Sequence, residues 1–239
     1  MKNFFLLFVV FPFISSCQKH GFDLDNLSLP TKSDNILKKY KNEKSFEIEM
    51  DSTLVATYDS KDEKIMWFKG LSLSGSMTDD EKDESSFGFS NHITFYSVKN
   101  SNQIEAYNIH IETKDITQKL IKLVEKEFGK TEYYYKDNKF SSRIWEKNGI
   151  LYFFATNNTI ENMGEKTITS DLILISTKSL NILNWFTSGG SFAYYGDFLK
   201  EKRKNKIEKY SYKDFVIQQE IEAKSWGQKS TYYSKNYVK

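Results

Sequence analysis

Few side chains in this 239-residue chain have the type and spacing that a chemical site requires. The three histidines, His20, His92 and His110, stand far apart, and none belongs to an H-x-H or H-E-x-x-H zinc motif. Alternation places His92 and His110 on two consecutive predicted strands, where their side chains could meet. Strand histidines are more often half-exposed polar residues than ligands, so we predict no metal site.

Two short strings approach catalytic motifs but depart from them at a required position. In GLSLS, residues 70–74, Ser74 replaces the second glycine that gives a nucleophile elbow its sharp turn. In NMGEKT, residues 162–167, Glu165 stands where a phosphate-binding loop has a glycine before its lysine. No spacing among the 32 acids singles out a carboxylate pair for glycoside hydrolysis. We therefore predict no catalytic residue and no cofactor.

The only cysteine of the chain, Cys17, ends an N-terminal segment with the order of a secretory signal. Lys2 supplies the basic start, residues 4–14 carry no charge, and Ser15 and Ser16 are the small residues before a cut. As a helix, the uncharged stretch would span roughly 16 Å, against about 30 Å of bilayer hydrocarbon. The segment therefore predicts a removed signal rather than a transmembrane helix.

The run Ile14-Ser15-Ser16-Cys17 resembles the lipobox of bacterial lipoproteins, in which an aliphatic residue and two small residues precede a cysteine. The resemblance covers about the first twenty residues. It implies that residues 1–16 are a signal peptide, that the Cys17 thiol takes a diacylglyceryl group, and that acyl chains such as palmitate hold the protein at a membrane. Gln18 is not the aspartate that favours inner-membrane retention, and no acidic run follows it. The implied location is the periplasmic leaflet of the outer membrane.

The composition argues against nucleic acid and phosphate as partners. Lys and Arg together number 34 and Asp and Glu 32, whereas a nucleic-acid-binding domain is strongly basic. Arg143 and Arg203 are the only arginines, and arginine is the side chain that clamps phosphate through a planar fork. An aromatic content of 16% is typical of a β-rich globular domain.

Alternating apolar and polar residues predict a series of strands. A half-buried pattern runs from Phe46 to Tyr58, and residues 65–75 are expected to return along it as a hairpin. Further strands are expected over 91–98, 103–113, three stretches within 130–158 that include a turn at Asn148-Gly149, and 166–177.

The clearest helix is expected over about residues 115–128, with Asp115 as its N-cap and Gly129 as its end. Shorter helices are expected to begin near Ser33 and at Asp197. These elements predict an α+β fold, mainly an antiparallel sheet with the long helix packed on one face and one or two short helices.

Three segments follow from these patterns. Residues 1–16 form the signal peptide and residues 17–33 a lipidated tether. Residues 34–239 form a single α+β domain, whose organisation after about residue 180 the pattern does not define.

Clustered aromatic residues predict a surface for glycan or peptide, since rings combine a large contact area with a polar edge. The candidate binding residues are Tyr133, Tyr135, Trp145, Tyr194 and Tyr195. The alternative is that these residues simply line the sheet.

Three hypotheses about function result. The first is a membrane-anchored envelope lipoprotein with a non-catalytic binding or scaffold domain, whose partners are the membrane and an envelope protein or glycan but no nucleic acid. The second is an envelope hydrolase acting on glycan or peptide, which requires a cleft with opposed acids or an acid beside a histidine. The third is an inhibitor or immunity lipoprotein that uses the acidic segment 76–86.

Overall fold

The protein is built around one antiparallel sheet. A computed structural model describes residues 21–77, 90–131, 133–162, 165–205 and 209–228. Cys17 and the sequence around it lie outside the described residues, as do residues 78–86 of the acidic segment.

The sheet contains nine strands, and five α-helices accompany it in the described part of the chain. The sheet strands are β1 (Thr31–Lys32), β2 (Glu43–Met50), β3 (Thr53–Ser60), β6 (His92–Val98), β7 (Gln103–Ile111), β8 (Tyr133–Lys136), β9 (Phe140–Lys147), β10 (Ile150–Asn162) and β11 (Glu165–Ser176); β4 (Trp67–Phe68) and β5 (Leu71–Ser72) form a separate hairpin. The helices are α1 (Asp34–Leu37), α2 (Lys114–Phe128), α3 (Leu180–Phe186), α4 (Ala193–Asn205) and α5 (Tyr212–Ser225). The spatial order is β2-β3-β6-β7-β11-β10-β9-β8, with β1 beside the start of β7. The predicted α+β class is confirmed.

The long helix α2 forms where the sequence predicts it and covers one side of the sheet. Leu120 and Val124 are fully buried, and the Thr117 hydroxyl lies 3.1 Å from the Ser170 hydroxyl on β11. The predicted N-cap is wrong by two positions, because Thr113, with extended backbone, precedes the first turn and Asp115 lies inside it. There the Asp115 carboxylate still suits the positive end of the helix dipole.

The sheet buries both faces, and each face has its own core. On the face that carries α2, named here the α2 face, Ile109 and Leu172 pack with Leu120. On the opposite face, named the C-terminal face, Phe153 and Ile175 pack with residues of α3, α4 and α5. A sheet buried on both sides explains why several strands carry apolar residues at successive positions.

The chain before the first long strand packs onto the α2 face. Leu24 is fully buried, and its carbonyl accepts a 3.0 Å hydrogen bond from the hydroxyl of buried Tyr107. The Asp23 carboxylate accepts hydrogen bonds from the backbone N–H groups of Lys69 and Gly70. The predicted tether over residues 17–33 is therefore too long, because its apolar residues join the core from about Phe22 onward.

The predicted hairpin between residues 46–58 and 65–75 is wrong. The first stretch is itself a hairpin, since Asp51 and Ser52 take positive φ values of 47° and 65° and turn β2 back onto β3. Acidic and small polar residues adopt this left-handed conformation more readily than bulky ones do. Residues 65–75 instead form the separate β4–β5 hairpin, and β3 pairs with β6. The predicted turn at Asn148-Gly149 is confirmed, with Lys147 paired to Ile150.

The region after residue 180 forms three helices that share the core of the C-terminal face. Leu183, Phe198 and Phe215, one from each helix, are buried in the same cluster. The α4 helix begins at Ala193, so the predicted cap at Asp197 lies within the helix. In this part of the structure no helix has the length and apolar character to cross a membrane, and the same holds for the other described helices.

Candidate functional site

Two histidines and an aspartate form a row across three neighbouring strands. His92 on β6 pairs with His110 on β7, which pairs with Asp171 on β11. Side chains directly opposite one another in antiparallel strands lie close together, and these three point to the C-terminal face. Tyr96, farther along β6, packs edge-on against Phe186 of α3, so the row lies beside the helical cover.

His110 is clamped by a carboxylate at each ring nitrogen. Its Nδ1 donates to Asp171 Oδ1 over 2.7 Å, and its Nε2 donates to Glu112 Oε1 over 2.6 Å. The side chain of His110 is 24% exposed, that of Glu112 11% and that of Asp171 36%. We name His92, His110, Glu112 and Asp171 the histidine cluster.

The two carboxylates keep His110 charged. Burial alone lowers its pKa, but the hydrogen bonds and negative charges of Asp171 and Glu112 outweigh burial and raise the pKa to about 10. Burial raises the pKa of Asp171, and the hydrogen bond and charge of His110 more than offset this, so that its pKa lies below the usual value. The pair is therefore an imidazolium and a carboxylate at neutral pH.

His92 has the opposite character. Burial lowers its pKa, and the positive charge of His110 lowers it further, against a backbone hydrogen bond that raises it. The two rings lie 4.8 Å apart between centroids. Since Nδ1 of His92 lies 2.9 Å from the Ser90 carbonyl, which only accepts, this nitrogen carries the proton and Nε2 carries the lone pair.

Buried Asn91 fixes the loop that carries Glu112. Its Oδ1 accepts hydrogen bonds from the backbone N–H groups of Glu112 at 2.8 Å and Thr113 at 3.1 Å. Its Nδ2 donates to the Leu73 carbonyl and to the Thr113 hydroxyl. This one amide therefore ties the end of β7 and the start of α2 to the segment after β5, and it holds Glu112 beside His110.

Further polar groups extend the cluster along the same face. Asn108 Nδ2 donates to Asp171 Oδ1 over 2.9 Å, and the Thr94 hydroxyl donates to Asp59 Oδ1 over 2.6 Å. Asn108 Oδ1 is buried, and no described residue donates to it. This part of the C-terminal face therefore combines the charged His110 ring with several carboxylates and with the Asn108 amide oxygen, to which no described residue donates.

The geometry limits what this cluster can do chemically. Both nitrogens of His110 are bonded to carboxylates, so the ring offers no lone pair to a metal ion. Within the described ranges, no three His, Cys, Asp or Glu side chains are arranged to hold a metal. With its pKa raised to about 10, His110 is also poorly matched to proton transfer near pH 7. The cluster is suited to presenting charge, and His92 is its one neutral base.

Three of the five predicted aromatic binding residues lie in the core rather than on a surface. Tyr133 is fully buried on the C-terminal face, where its ring packs edge-on against Tyr195 and Tyr212 and its hydroxyl donates to the Ser191 carbonyl. Trp145 is buried on the α2 face, and its Nε1 donates to the Gly129 carbonyl over 3.0 Å. Tyr133 on β8 pairs with Ile144 on β9. Trp145, the next residue on β9, therefore faces the other side of the sheet, because consecutive strand residues point to opposite faces.

The other two predicted residues lie together and are half-exposed. The rings of Tyr135 and Tyr194 stack with their centroids 6.0 Å apart. Trp145 and Tyr195, although on different sides of the sheet, both line a cavity of about 540 Å³ at its β9 edge. The structure thus does not bring the five residues onto one surface.

Sequence reasoning singled out His92 and His110 but missed Glu112 and Asp171. Alternation in residues 103–111 already puts His110 opposite Tyr107 and Ile109, and Glu112 follows on the same side two positions later. Asp171 carries no comparable signal, because its proximity depends on β11 pairing with β7 across a long stretch of chain.

The comparisons with known proteins add no relative to this picture. Neither the models of known protein families, nor the curated proteins, nor the solved structures contain a match to the chain.

Proposed function

We propose that this protein is a lipid-anchored lipoprotein of the bacterial envelope whose α+β domain binds a ligand without converting it. The observation that carries the anchor is the run Ile14-Ser15-Ser16-Cys17 after an uncharged N-terminal stretch. Two or three acyl chains on Cys17 would hold the protein durably, since each buried methylene contributes about 0.8 kcal/mol. Gln18 and the lack of a following acidic run support the periplasmic leaflet of the outer membrane.

The histidine cluster supports binding over catalysis. Its central ring, His110, has both nitrogens engaged by carboxylates and a pKa raised to about 10. A group held in one protonation state presents a constant charge to a partner, but it does not exchange protons readily at neutral pH. The partner class of this proposal is an envelope protein or glycan.

Replacing the anchoring residue is the direct test. Cys17→Ala should abolish incorporation of labelled palmitate and release the protein from the membrane fraction, or leave an uncleaved precursor, because the acylated thiol is gone. Ser16→Ala is the matched control, since it keeps a small residue before the cysteine and should be acylated normally. Normal processing and membrane retention of Cys17→Ala would rule out the lipoprotein proposal.

One observation favours a second candidate function, hydrolysis of an envelope glycan or peptide. His92 is a neutral imidazole beside the fixed charge of His110, and acids lie next to that pair. A neutral histidine can take a proton from water, which is the role of a general base. If this candidate is right, full-length protein should release soluble fragments from purified cell-wall sacculi or from envelope peptides. His92→Gln should lower that rate by about 100-fold or more, whereas Asp137→Asn, in the turn between β8 and β9, should not.

A further inference from the structure

A second cavity, separate from the histidine cluster, opens where the β2–β3 turn meets the C-terminal helices. Its volume is about 540 Å³, which is within the range of small-molecule sites. Its lining includes Asp51, Asn184, Trp185, Ser188, Lys200 and Arg203. The cavity thus combines an aromatic ring, two cationic side chains and several hydrogen-bonding groups.

Arg203 is held in a fixed orientation by neutral acceptors. Its Nη2 donates to Asn184 Oδ1 over 3.0 Å, and its Nε donates to the Leu199 carbonyl over 3.1 Å. Among the described residues no carboxylate forms an ion pair with Arg203, whereas Arg143 has Glu125 at 3.1 Å. The Arg203 guanidinium therefore has N–H donors and a positive charge left for a ligand.

Asn184 links this guanidinium to the one acid of the cavity. Its Nδ2 donates to Asp51 Oδ2 over 3.1 Å while its Oδ1 accepts from Arg203. The reversed amide would place an oxygen against the Asp51 carboxylate and an N–H against the guanidinium, so only this orientation is favourable. The Asp51 carboxylate thus accepts a hydrogen bond from Asn184. The cationic side of the cavity comes from Arg203 and from Lys200, whose ammonium also lies 3.4 Å from the Asp197 carboxylate.

Trp185 provides a supported aromatic wall. Its side chain is 39% exposed, and its ring packs edge-on against Phe186 at 4.9 Å between centroids. Phe186 in turn packs edge-on against buried Tyr96, so the wall is braced by the core. The Ser188 hydroxyl donates to the Trp185 carbonyl over 2.7 Å, which leaves its oxygen lone pairs to accept from a ligand.

We propose that this cavity binds a sugar that carries a carboxylate. The apolar face of the sugar ring lies against Trp185, its carboxylate pairs with the Arg203 fork, and Lys200 adds a second positive charge. Ser188 accepts from a sugar hydroxyl. This inference rests on the glycan-binding part of the proposed function, for which it names the ligand class and the site.

The test uses full-length protein purified in detergent and titrated calorimetrically with methyl β-glucuronide and with the neutral methyl β-glucoside. The glucuronide should bind at least about tenfold more tightly, since one charge-assisted arginine–carboxylate interaction corresponds to about that factor. Arg203→Gln should reduce glucuronide binding to the level of the glucoside, and Trp185→Ala should weaken both sugars. Arg143→Gln is the matched control, and it should leave binding unchanged because Arg143 lies outside the cavity.

Three results would overturn the proposal: equal affinity for the two sugars, undiminished glucuronide binding by Arg203→Gln, or tighter binding of glucose 6-phosphate than of the glucuronide. Circular dichroism melting of each variant separates a lost site from a lost fold. Co-sedimentation of the native protein with purified sacculi separates the two proposals. Co-sedimentation together with any of these three results would refute this site and keep glycan binding, whereas no co-sedimentation and no sugar binding would refute both.

Discussion

Raising the pH from 7 to 9 is expected to lower the free energy of unfolding by about 2.5 kcal/mol, because over this interval His110 keeps its proton in the folded protein but not in the unfolded chain. The folded-state pKa of His110 is raised to about 10, above the ordinary value of 6.5. Such a group contributes stability that is fully present below pH 6.5 and is lost as the pH rises through 10. Over this interval each pH unit corresponds to about 1.4 kcal/mol.

Asp171 and His92, the titrating neighbours of His110, lose their contributions to stability outside the range from pH 7 to 9. Asp171, with its lowered pKa, loses its contribution only at acidic pH, outside this interval. His92 has a lowered pKa, so its contribution is lost as the pH falls below about 6.5, outside the interval. Above pH 9, ionisation of tyrosines in the unfolded chain would add further terms, so the interval ends there.

The free energy of unfolding is measured by urea unfolding at half-unit pH steps. Two histidine variants show which residue causes its dependence on pH. His110→Gln should be less stable than the native protein at pH 7 and nearly independent of pH between 7 and 9, because the glutamine amide never carries a charge. His92→Gln is the matched control on the neighbouring strand and should retain the native slope. A native protein whose stability is flat across this interval would contradict a charged His110.

The α2 helix and the β9–β10 turn are the parts of the fold that the sequence predicts best. Each is specified by a short stretch of consecutive residues. The helix from 114 to 128 combines a stripe of apolar residues with a terminal glycine, and the β9–β10 turn has its Asn148-Gly149 pair. Each of these signals spans a few consecutive residues and depends on backbone preference and burial on one side. Signals of this kind can be recognised without knowing which strands pair with one another.

The misplaced hairpin shows where local patterns fail. Alternation continues smoothly from Phe46 to Tyr58, because a tight turn at Asp51-Ser52 preserves the order of apolar and polar residues on both strands. A period of two cannot distinguish one long strand from a hairpin of two short ones. The turn signal in the sequence, two turn-tolerant residues in succession, is weaker than Asn-Gly.

The C-terminal helices were under-predicted for a different reason. Their buried residues are mostly aromatic, and the rings of Tyr195 and Phe198 on α4 pack with each other and with Tyr212 on α5. A few large rings fill a layer without the regular apolar stripe of a helix such as α2. The one local signal that was legible in principle is the capping box of Ser211 and Asp214 at the start of α5.

The order of the strands decides which members of the histidine cluster can be predicted from the sequence. The meeting of His92 and His110 follows from a hairpin between consecutive strands, which is the commonest arrangement in an antiparallel sheet. Asp171 reaches them only because β11 inserts next to β7 after the whole α2 and β8–β10 segment. No local pattern encodes that pairing, so the charge of the central histidine could not be foreseen.

Replacing Asp171 by asparagine is expected to lower the free energy of unfolding by about 2 kcal/mol at pH 6.5. The expected effect lies between the value of about 1 kcal/mol for an exposed pair and the 3–5 kcal/mol for breaking a buried one. The intermediate value follows from the exposed fractions of the two side chains, 24% for His110 and 36% for Asp171. The same substitution should lower the pKa of His110, because one of its two carboxylates is lost.

The substitution isolates charge from hydrogen bonding. Asp171 Oδ1 accepts from both His110 Nδ1 and Asn108 Nδ2, and an asparagine carbonyl can accept the same two bonds. Asp59→Asn is the matched control, since Asp59 lies on the same face and bonds to the neutral hydroxyl of Thr94. It should change stability by less than about 1 kcal/mol and leave the His110 titration in place.

Two measurements are needed because the free energy of unfolding and the pKa of His110 can change independently of each other. Urea unfolding reports the change in stability, and proton NMR of the histidine Cε1–H signals, only three in the chain, reports the His110 pKa. A loss of stability without a change in that pKa would mean that Asp171 acts through packing. An unchanged pKa together with unchanged stability would mean that Glu112 alone holds the imidazolium, and the ion pair across β7 and β11 would then have no energetic role.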